Sequence, residues 1–175
     1  EGDEVIYPNP GFPSYESMIE FVGAKAVPLP RTEDSGFGFS AEAIEERITD
    51  RTRMLIINSP GNPTAGVLEP ELLDQVAELA VKHDLFVLSD EIYSRLLFDG
   101  REHHSIATRP GMAERTCILD GFSKTYSMTG WRLGYGVMPE DVAQRVTQIG
   151  INFHSCTAAF TQLAGVEAHP RAPES

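Results

Sequence analysis

Apolar residues along this chain follow two patterns, short continuous runs and longer stretches with helical spacing. The continuous runs are typical of strands buried on both faces of a covered sheet. They predict six strands, at Glu4–Tyr7, Ala24–Leu29, Arg53–Asn58, Leu85–Ser89, Thr116–Leu119 and Leu133–Met138.

The stretches between these runs repeat apolar residues every three or four positions, which predicts helices. Pro70–His83 is the clearest, because its apolar residues fall at helical spacing and a proline fits its first turn. Since strands and helices alternate, the sequence predicts βαβ units, a mostly parallel sheet and a three-layer αβα sandwich. The predicted helices are Pro13–Val22, Ser40–Thr49, Pro70–His83, Pro139–Gln148 and Thr157–His169.

Polar segments follow three of the predicted strands. They read "NSPGNPTAG" after Arg53–Asn58, "SDEIY" after Leu85–Ser89 and "DGFSKTYSMTGWR" after Thr116–Leu119. Ligands of such sheets bind beyond the carboxyl ends of the strands. We therefore expect the three segments to meet at one rim of the sheet and to form the functional site.

Together these segments resemble the large domain of a class I or II aminotransferase, an enzyme of fold type I that uses pyridoxal 5′-phosphate (PLP). The resemblance extends from "DEVIYPNPGFPSY" to the helix that ends near His169, with four motifs in the family's order. It implies transamination between an amino acid and a 2-oxo acid through a Schiff base on a lysine. It also implies a homodimer for the full-length protein.

Two residues carry the chemistry that this resemblance implies. Lys124 would form the Schiff base and then move a proton between the substrate and the cofactor, which needs a neutral amine. Asp90, at the end of the apolar run "LFVLSD", would pair with the protonated pyridine nitrogen. The plain alternatives are an exposed loop lysine and an aspartate that caps a helix over "EIYSRLL".

Five further residues would contact the cofactor by the same resemblance. Tyr93 and Asn62 would donate to its O3′ oxygen, Arg132 and Ser123 would bind its phosphate, and Phe12 would stack on its ring. For Asn62 a turn role is compatible with this, since Asn-Pro often begins a turn. The alternatives are a core residue for Phe12 and a surface ion pair for Arg132, although the flanking "GW" and "LGYG" are expected to be buried.

The chain departs from the family pattern at one turn and at both ends. Ala65 stands where the family has the glycine of N-P-T-G, which is costly if φ is positive there. The chain lacks an initiator methionine, and neither the family's upstream phosphate loop nor its downstream carboxylate-binding arginine is present. We expect residues 1–175 to be most of the PLP-binding large domain, without the phosphate-loop segment and the small domain. Weak PLP binding and no turnover are expected of this fragment alone.

The composition limits which partners and which cellular compartment are expected for this chain. A net charge of −12 argues against nucleic acid and against anionic membranes, and no apolar run is long enough to cross a bilayer. Cys117 and Cys156 have no metal-site spacing and are expected to be buried thiols in a reducing compartment, which favours the cytoplasm. His103 and His104 are expected to be solvated in a polar loop, so no metal site is predicted.

Two other functions stay open at this point. A PLP-dependent C–S lyase or another β-eliminating enzyme would use the same cofactor contacts. A PLP-fold domain that senses a ligand inside a transcription regulator would share the fold. The sequence does not distinguish which amino acid or 2-oxo acid is used.

Overall fold

All six predicted strands form one sheet in the computed structural model, which describes residues 2–169. The strand order is β2-β1-β3-β4-β5-β6. Neighbouring strands are parallel except for β6, which runs antiparallel to β5 at one edge. The predicted mostly parallel sheet is therefore confirmed. The strands are β1 Glu4–Asn9, β2 Lys25–Pro30, β3 Thr52–Asn58, β4 Phe86–Asp90, β5 Thr116–Gly121 and β6 Gly134–Val137.

The five predicted helices are also present, and two of them end at residues that differ clearly from the prediction. The second stops at Glu45 although Ser40 caps it as predicted, accepting a hydrogen bond from the backbone nitrogen of Ala43 at 3.2 Å. The fourth continues to His154, beyond the predicted end at Gln148. The helices are α1 Ser14–Phe21, α2 Ala41–Glu45, α3 Pro70–Lys82, α4 Glu140–His154 and α5 Ala159–Ala168.

Helices cover the sheet on both faces, as a three-layer sandwich requires. Because side chains alternate along a strand, Ile6 and Val5 of β1 point to opposite faces. The face of Ile6 packs against α2 and α3, with Ile44 and Val76 fully buried. The opposite face, with Val5, packs against Ile19 of α1. These two cores hold the central strands in place and so position their carboxyl ends.

The β5–β6 edge is more exposed than the sequence suggested. Trp131 is 45% exposed and Tyr135 is 41% exposed, so the expectation that "GW" and "LGYG" are buried is wrong for the described residues. The reason is that β6 is an edge strand and that α4 has no buried residue. Close contact with β5 depends on glycine, since a Cβ on Gly121 would lie 2.9 Å from the Cα of Gly134.

The described residues contain no helix with the length and apolar character needed to cross a membrane. Of the two thiols, Cys117 is buried and Cys156 is exposed. The expectation of two buried cysteines is therefore correct for the strand residue and wrong for the residue between α4 and α5.

Candidate active site

The three polar segments meet at the carboxyl ends of β3, β4 and β5, as predicted. The amide of Asn58 donates to the backbone oxygen of Asp90 at 3.0 Å, which joins the ends of β3 and β4. The backbone nitrogen of Glu91 donates to the oxygen of Leu119 at 2.9 Å, which joins β4 to β5. These contacts set the positions from which the functional side chains leave the sheet.

A cavity of about 350 Å³ opens at this rim. All the residues that the resemblance assigned to the cofactor lie in its wall, although they come from four separate parts of the chain. The lining residues are Phe12, Asn62, Asp90, Ile92, Tyr93, Leu119, Asp120, Ser123, Lys124, Thr129 and Arg132.

Asp90 is a partly buried carboxylate that accepts two hydrogen bonds. Burial raises its pKa, against the opposing effects of hydrogen bonds from the hydroxyl of Tyr15 at 2.5 Å and the backbone nitrogen of Ile92 at 3.3 Å. No lysine, arginine or histidine nitrogen of residues 2–169 lies within 4.0 Å of it. The bond from Ile92 resembles a cap, but "EIYSRLL" forms successive turns and no helix, so the helix-cap alternative is wrong.

Tyr15 was missed by sequence reasoning although it lies in the quoted segment "NPGFPSY". It sits in the first turn of α1, on the buried side of that helix. Burial and then the charge of Asp90 raise its pKa, so its hydroxyl stays protonated and acts as a donor to Asp90. Its ring contacts that of Phe12 edge to face, with the ring centres 5.8 Å apart.

Lys124 differs from the other two lysines of the chain. Lys25 pairs with Glu4 at 2.9 Å and Lys82 pairs with Glu45 at 2.6 Å. Lys124 is partly buried, no carboxylate oxygen of the described residues lies within 4.0 Å of its amine, and the amine lies 5.5 Å from the ring centre of Tyr93. The structure therefore does not support the plain alternative of a solvated loop lysine.

The turn that carries Asn62 is held by backbone bonds and by Asn58. The side-chain oxygen of Asn58 accepts from the backbone nitrogen of Asn62 at 2.7 Å, and Gly61 and Gly66 are joined at 2.8 Å. Ala65 has a φ of 56° in this turn. The suspected strain is present, and it costs on the order of 1 kcal/mol relative to glycine.

Arg132 and Phe12 belong to the exposed part of the wall, as Thr129 does, whereas the other residues of the wall are partly buried. One nitrogen of the Arg132 guanidinium donates to the backbone oxygen of Thr129 at 2.9 Å. No carboxylate oxygen of residues 2–169 lies within 4.0 Å of Arg132, so the surface ion-pair alternative is wrong for this part of the chain. Phe12 is 45% exposed, which excludes the alternative of a core residue.

Asp120 is a second carboxylate of the cavity that sequence reasoning missed. It accepts hydrogen bonds from the hydroxyl of Tyr135 at 2.9 Å and from the backbone nitrogen of Gly121 at 2.7 Å. Its charge adds to the effect of burial in raising the pKa of Asp90. Burial and the bond to Asp120 raise the pKa of Tyr135 to about 12.

Glu91 lies beside Asp90 in sequence but belongs to a separate buried network. It accepts hydrogen bonds from the hydroxyls of Ser89 at 2.8 Å and Ser105 at 2.6 Å. The ring nitrogen of His103 lies 2.7 Å from its other oxygen, so the expectation that His103 is solvated is wrong. Burial alone would raise the pKa of Glu91, but the bonds from His103, Ser105 and Ser89 outweigh it and lower the pKa.

We expect Glu91→Gln to destabilise the protein in a pH-dependent way. The free energy of unfolding should fall by about 1–3 kcal/mol at neutral pH, because buried donors lose a charged acceptor. A lowered folded-state pKa stabilises the protein above the unfolded-state pKa of about 4.3, and this contribution disappears as the pH falls through the folded-state value. Urea unfolding at about pH 7 and about pH 3.5 measures the difference.

Glu45→Gln is the matched control, because the pair of Glu45 with Lys82 lies on the surface. Its effect on unfolding should be small at both pH values. An equal loss for Glu91→Gln at both pH values would contradict the role given to the charge of Glu91.

Comparison with known proteins identifies the family. The family model for class I and II aminotransferases matches residues 1–171. The chain belongs to the class I and II aminotransferases. The cofactor of this family is PLP. The aspartate aminotransferase of Musicola paradisiaca is 43% identical over 95% of this chain and 42% of its own length.

Other members of this aminotransferase family agree in fold and differ in named substrate. The aromatic-amino-acid aminotransferase 2 of Thermococcus litoralis is 42% identical, over 96% of this chain and 43% of its own. The aromatic aminotransferase structure from Pyrococcus horikoshii superimposes with a TM-score of 0.93 and 41% identity, covering 95% of this chain and 45% of that one. The chain thus spans less than half of these relatives. All of these relatives are named aminotransferases.

The described residues fit the cofactor of the family. A volume of about 350 Å³ is within the range of about 300–1,000 Å³ that is usual for small-ligand sites. Asp90 is a partly buried acceptor with no cationic partner among residues 2–169, and a protonated pyridine nitrogen would supply one. No cluster of three metal-ligating side chains occurs in residues 2–169.

Proposed function

We propose that the full-length protein transfers an amino group between an amino acid and a 2-oxo acid, with PLP bound in the cavity at the ends of β3, β4 and β5. The observation that carries this proposal is the meeting of Lys124, Asp90 and Arg132 in one wall. An amine, a partly buried carboxylate and a guanidinium match the aldehyde, the ring nitrogen and the phosphate of PLP.

The cofactor, when bound, supplies an aldehyde that reacts with amines and a ring that accepts the electrons released at the substrate Cα. Asp90 would hold the proton of the ring nitrogen, and Tyr15 holds Asp90 in place. Lys124 would carry the proton that leaves and returns at the substrate Cα.

The remaining residues of the wall would bind and orient. Arg132 and Ser123 would hold the phosphate, since a guanidinium offers paired donors to phosphate oxygens. Tyr93 and Asn62 would donate to the phenolic oxygen of the ring. Phe12 would cover one face of the pyridine ring of the cofactor. Its own side chain is exposed and is therefore free to do so.

We also propose that the chain is most of the PLP-binding domain of a longer protein, as its partial coverage of the relatives suggests. A homodimer is part of this proposal. It is supported by exposed apolar side chains on the last two helices, among them Phe153, Phe160 and Leu163. The cytoplasmic location stays a prediction from the sequence.

The function is tested by turnover of the full-length protein with PLP. We expect a new amino acid to appear only when both an amino-acid donor and a 2-oxo acid are present. Release of ammonia from the amino acid without any 2-oxo acid would instead indicate a lyase. PLP binding is monitored by visible absorption. Failure to bind PLP would contradict both enzymatic functions.

A further inference from the structure

Two of the segments that carry cofactor residues contact each other twice. The segment after β4 holds Tyr93 and Arg95, and the segment after β5 holds Lys124 and Tyr126. In the wall of the cavity, the amine of Lys124 lies 5.5 Å from the ring centre of Tyr93. Two residues further along each segment, the guanidinium carbon of Arg95 lies 5.8 Å from the ring centre of Tyr126. Each segment therefore places a cation over an aromatic ring of the other.

The second of these contacts also includes a hydrogen bond. The Nη1 atom of Arg95 donates to the hydroxyl of Tyr126 at 2.9 Å. None of the salt bridges among residues 2–169 involves Arg95, so its guanidinium contacts the tyrosine rather than a carboxylate. A hydrogen bond from a charged donor is stronger than one between neutral groups, and a cation over an aromatic ring adds to the attraction.

The ring of Tyr126 is fixed to the turn that carries Lys124. It stacks on the buried ring of Phe122, with the ring centres 5.2 Å apart. The backbone oxygen of Phe122 accepts hydrogen bonds from the nitrogens of Tyr126 and Met128, both at 3.3 Å. The backbone oxygen of Lys124 accepts from the nitrogen of Ser127 at 3.1 Å. Because these bonds close the turn around Lys124, a shift of Tyr126 moves the backbone from which the amine extends.

We propose that Arg95 and Tyr126 are positioning residues, and that their contact sets the separation between Tyr93 and Lys124. This inference rests on the proposed transamination, in which Lys124 binds the aldehyde carbon of PLP and Tyr93 donates to the phenolic oxygen. Those two groups of PLP are attached to neighbouring carbons of the pyridine ring, so both side chains bind only at one spacing. The residues that line the cavity include Tyr93 and Lys124 but neither Arg95 nor Tyr126, so the effect is indirect.

The test follows the visible absorption of bound PLP against pH in the full-length protein. This absorption changes when the proton between the nitrogen of Lys124 and the phenolic oxygen dissociates. A hydroxyl that donates to the phenolic oxygen stabilises its negative charge and so lowers the pH midpoint of the change. Arg95→Gln and Tyr126→Phe should each raise the midpoint by about 0.3–1 unit, a two- to tenfold change in proton affinity on the scale of one hydrogen bond. Each should also weaken PLP binding by about three- to tenfold.

Three further variants show whether one contact is responsible. The double variant Arg95→Gln and Tyr126→Phe should shift the midpoint no further than Arg95→Gln alone, because the first change already removes the charged donor. Arg95→Lys keeps a charged donor and should stay closer to the wild type than Arg95→Gln does. Arg101→Gln is the matched control, since Arg101 is an exposed arginine after the same strand that lies 3.7 Å from Glu69. It should change neither the midpoint nor the PLP affinity.

A purely structural role predicts a different pattern. Easier unfolding of Arg95→Gln by urea, with an unchanged midpoint and PLP affinity, would overturn the inference. Shifts that add up in the double variant would do the same, because the two residues would then act independently. Should Arg95→Gln fail to fold, Tyr126→Phe decides the matter, since it keeps the ring that stacks on Phe122. A wild-type protein that does not bind PLP would reject the proposed function itself, whereas unchanged variants of a protein that binds PLP reject only the positioning roles.

Discussion

Lys124→Ala in the full-length protein should abolish the visible absorption of bound PLP and lower kcat by at least about 10³-fold. Positioned acid–base groups alone contribute about 10²–10⁴-fold, and Lys124 is proposed both to hold the cofactor covalently and to move the proton. Absorption spectra and steady-state kinetics with a saturating 2-oxo acid measure the two effects separately.

The control for Lys124 is another lysine of the same chain. Lys82→Ala removes an exposed amine that pairs with Glu45 at the surface, and it should change neither the spectrum nor kcat. A Lys124→Ala protein that keeps both the absorption band and wild-type turnover would show that the amine lines the cavity but neither binds the cofactor nor takes part in catalysis.

Asp90→Ala should separate cofactor attachment from catalysis. The protein should keep its absorption band, because Lys124 is intact, yet kcat should fall by about 10²–10³-fold, as when another preorganised electrostatic contact is removed. The physical reason is that Asp90 is a partly buried carboxylate with no cationic partner among residues 2–169, so its charge is available to hold a proton on the ring nitrogen. Burial raises its pKa.

Asp141→Ala gives the comparison for Asp90→Ala, because Asp141 is an exposed carboxylate in the first turn of α4. It should leave kcat unchanged. Undiminished turnover in Asp90→Ala would refute the role proposed for Asp90 in holding the ring proton, whatever happens to the spectrum.

Local patterns were sufficient to predict the fold. Buried strands such as β3 and β4 are continuous apolar runs, and α3 has a proline at its start and a clear apolar face. The misjudged regions lie where tertiary contacts decide. The edge strand β6 is apolar in sequence but exposed, and "EIYSRLL" has helical spacing but forms turns.

The motifs also located the residues of the cavity, because each of the four segments follows the end of a strand, namely β1, β3, β4 or β5. Their partners could not be predicted in the same way. Tyr15 and Asp90 are far apart in sequence, and His103 reaches Glu91 across a loop that has no periodic pattern.

The most direct test of the central claim is to trap the cofactor on the protein. Borohydride reduction of the full-length protein with bound PLP, followed by peptide mass mapping, identifies the lysine that carries the cofactor. Of the three lysines in this chain, only Lys124 lies in the wall of the cavity with Asp90 and Arg132. We predict the label on the peptide that contains Lys124. A label on Lys25, on Lys82 or on a lysine elsewhere in the protein would contradict the account.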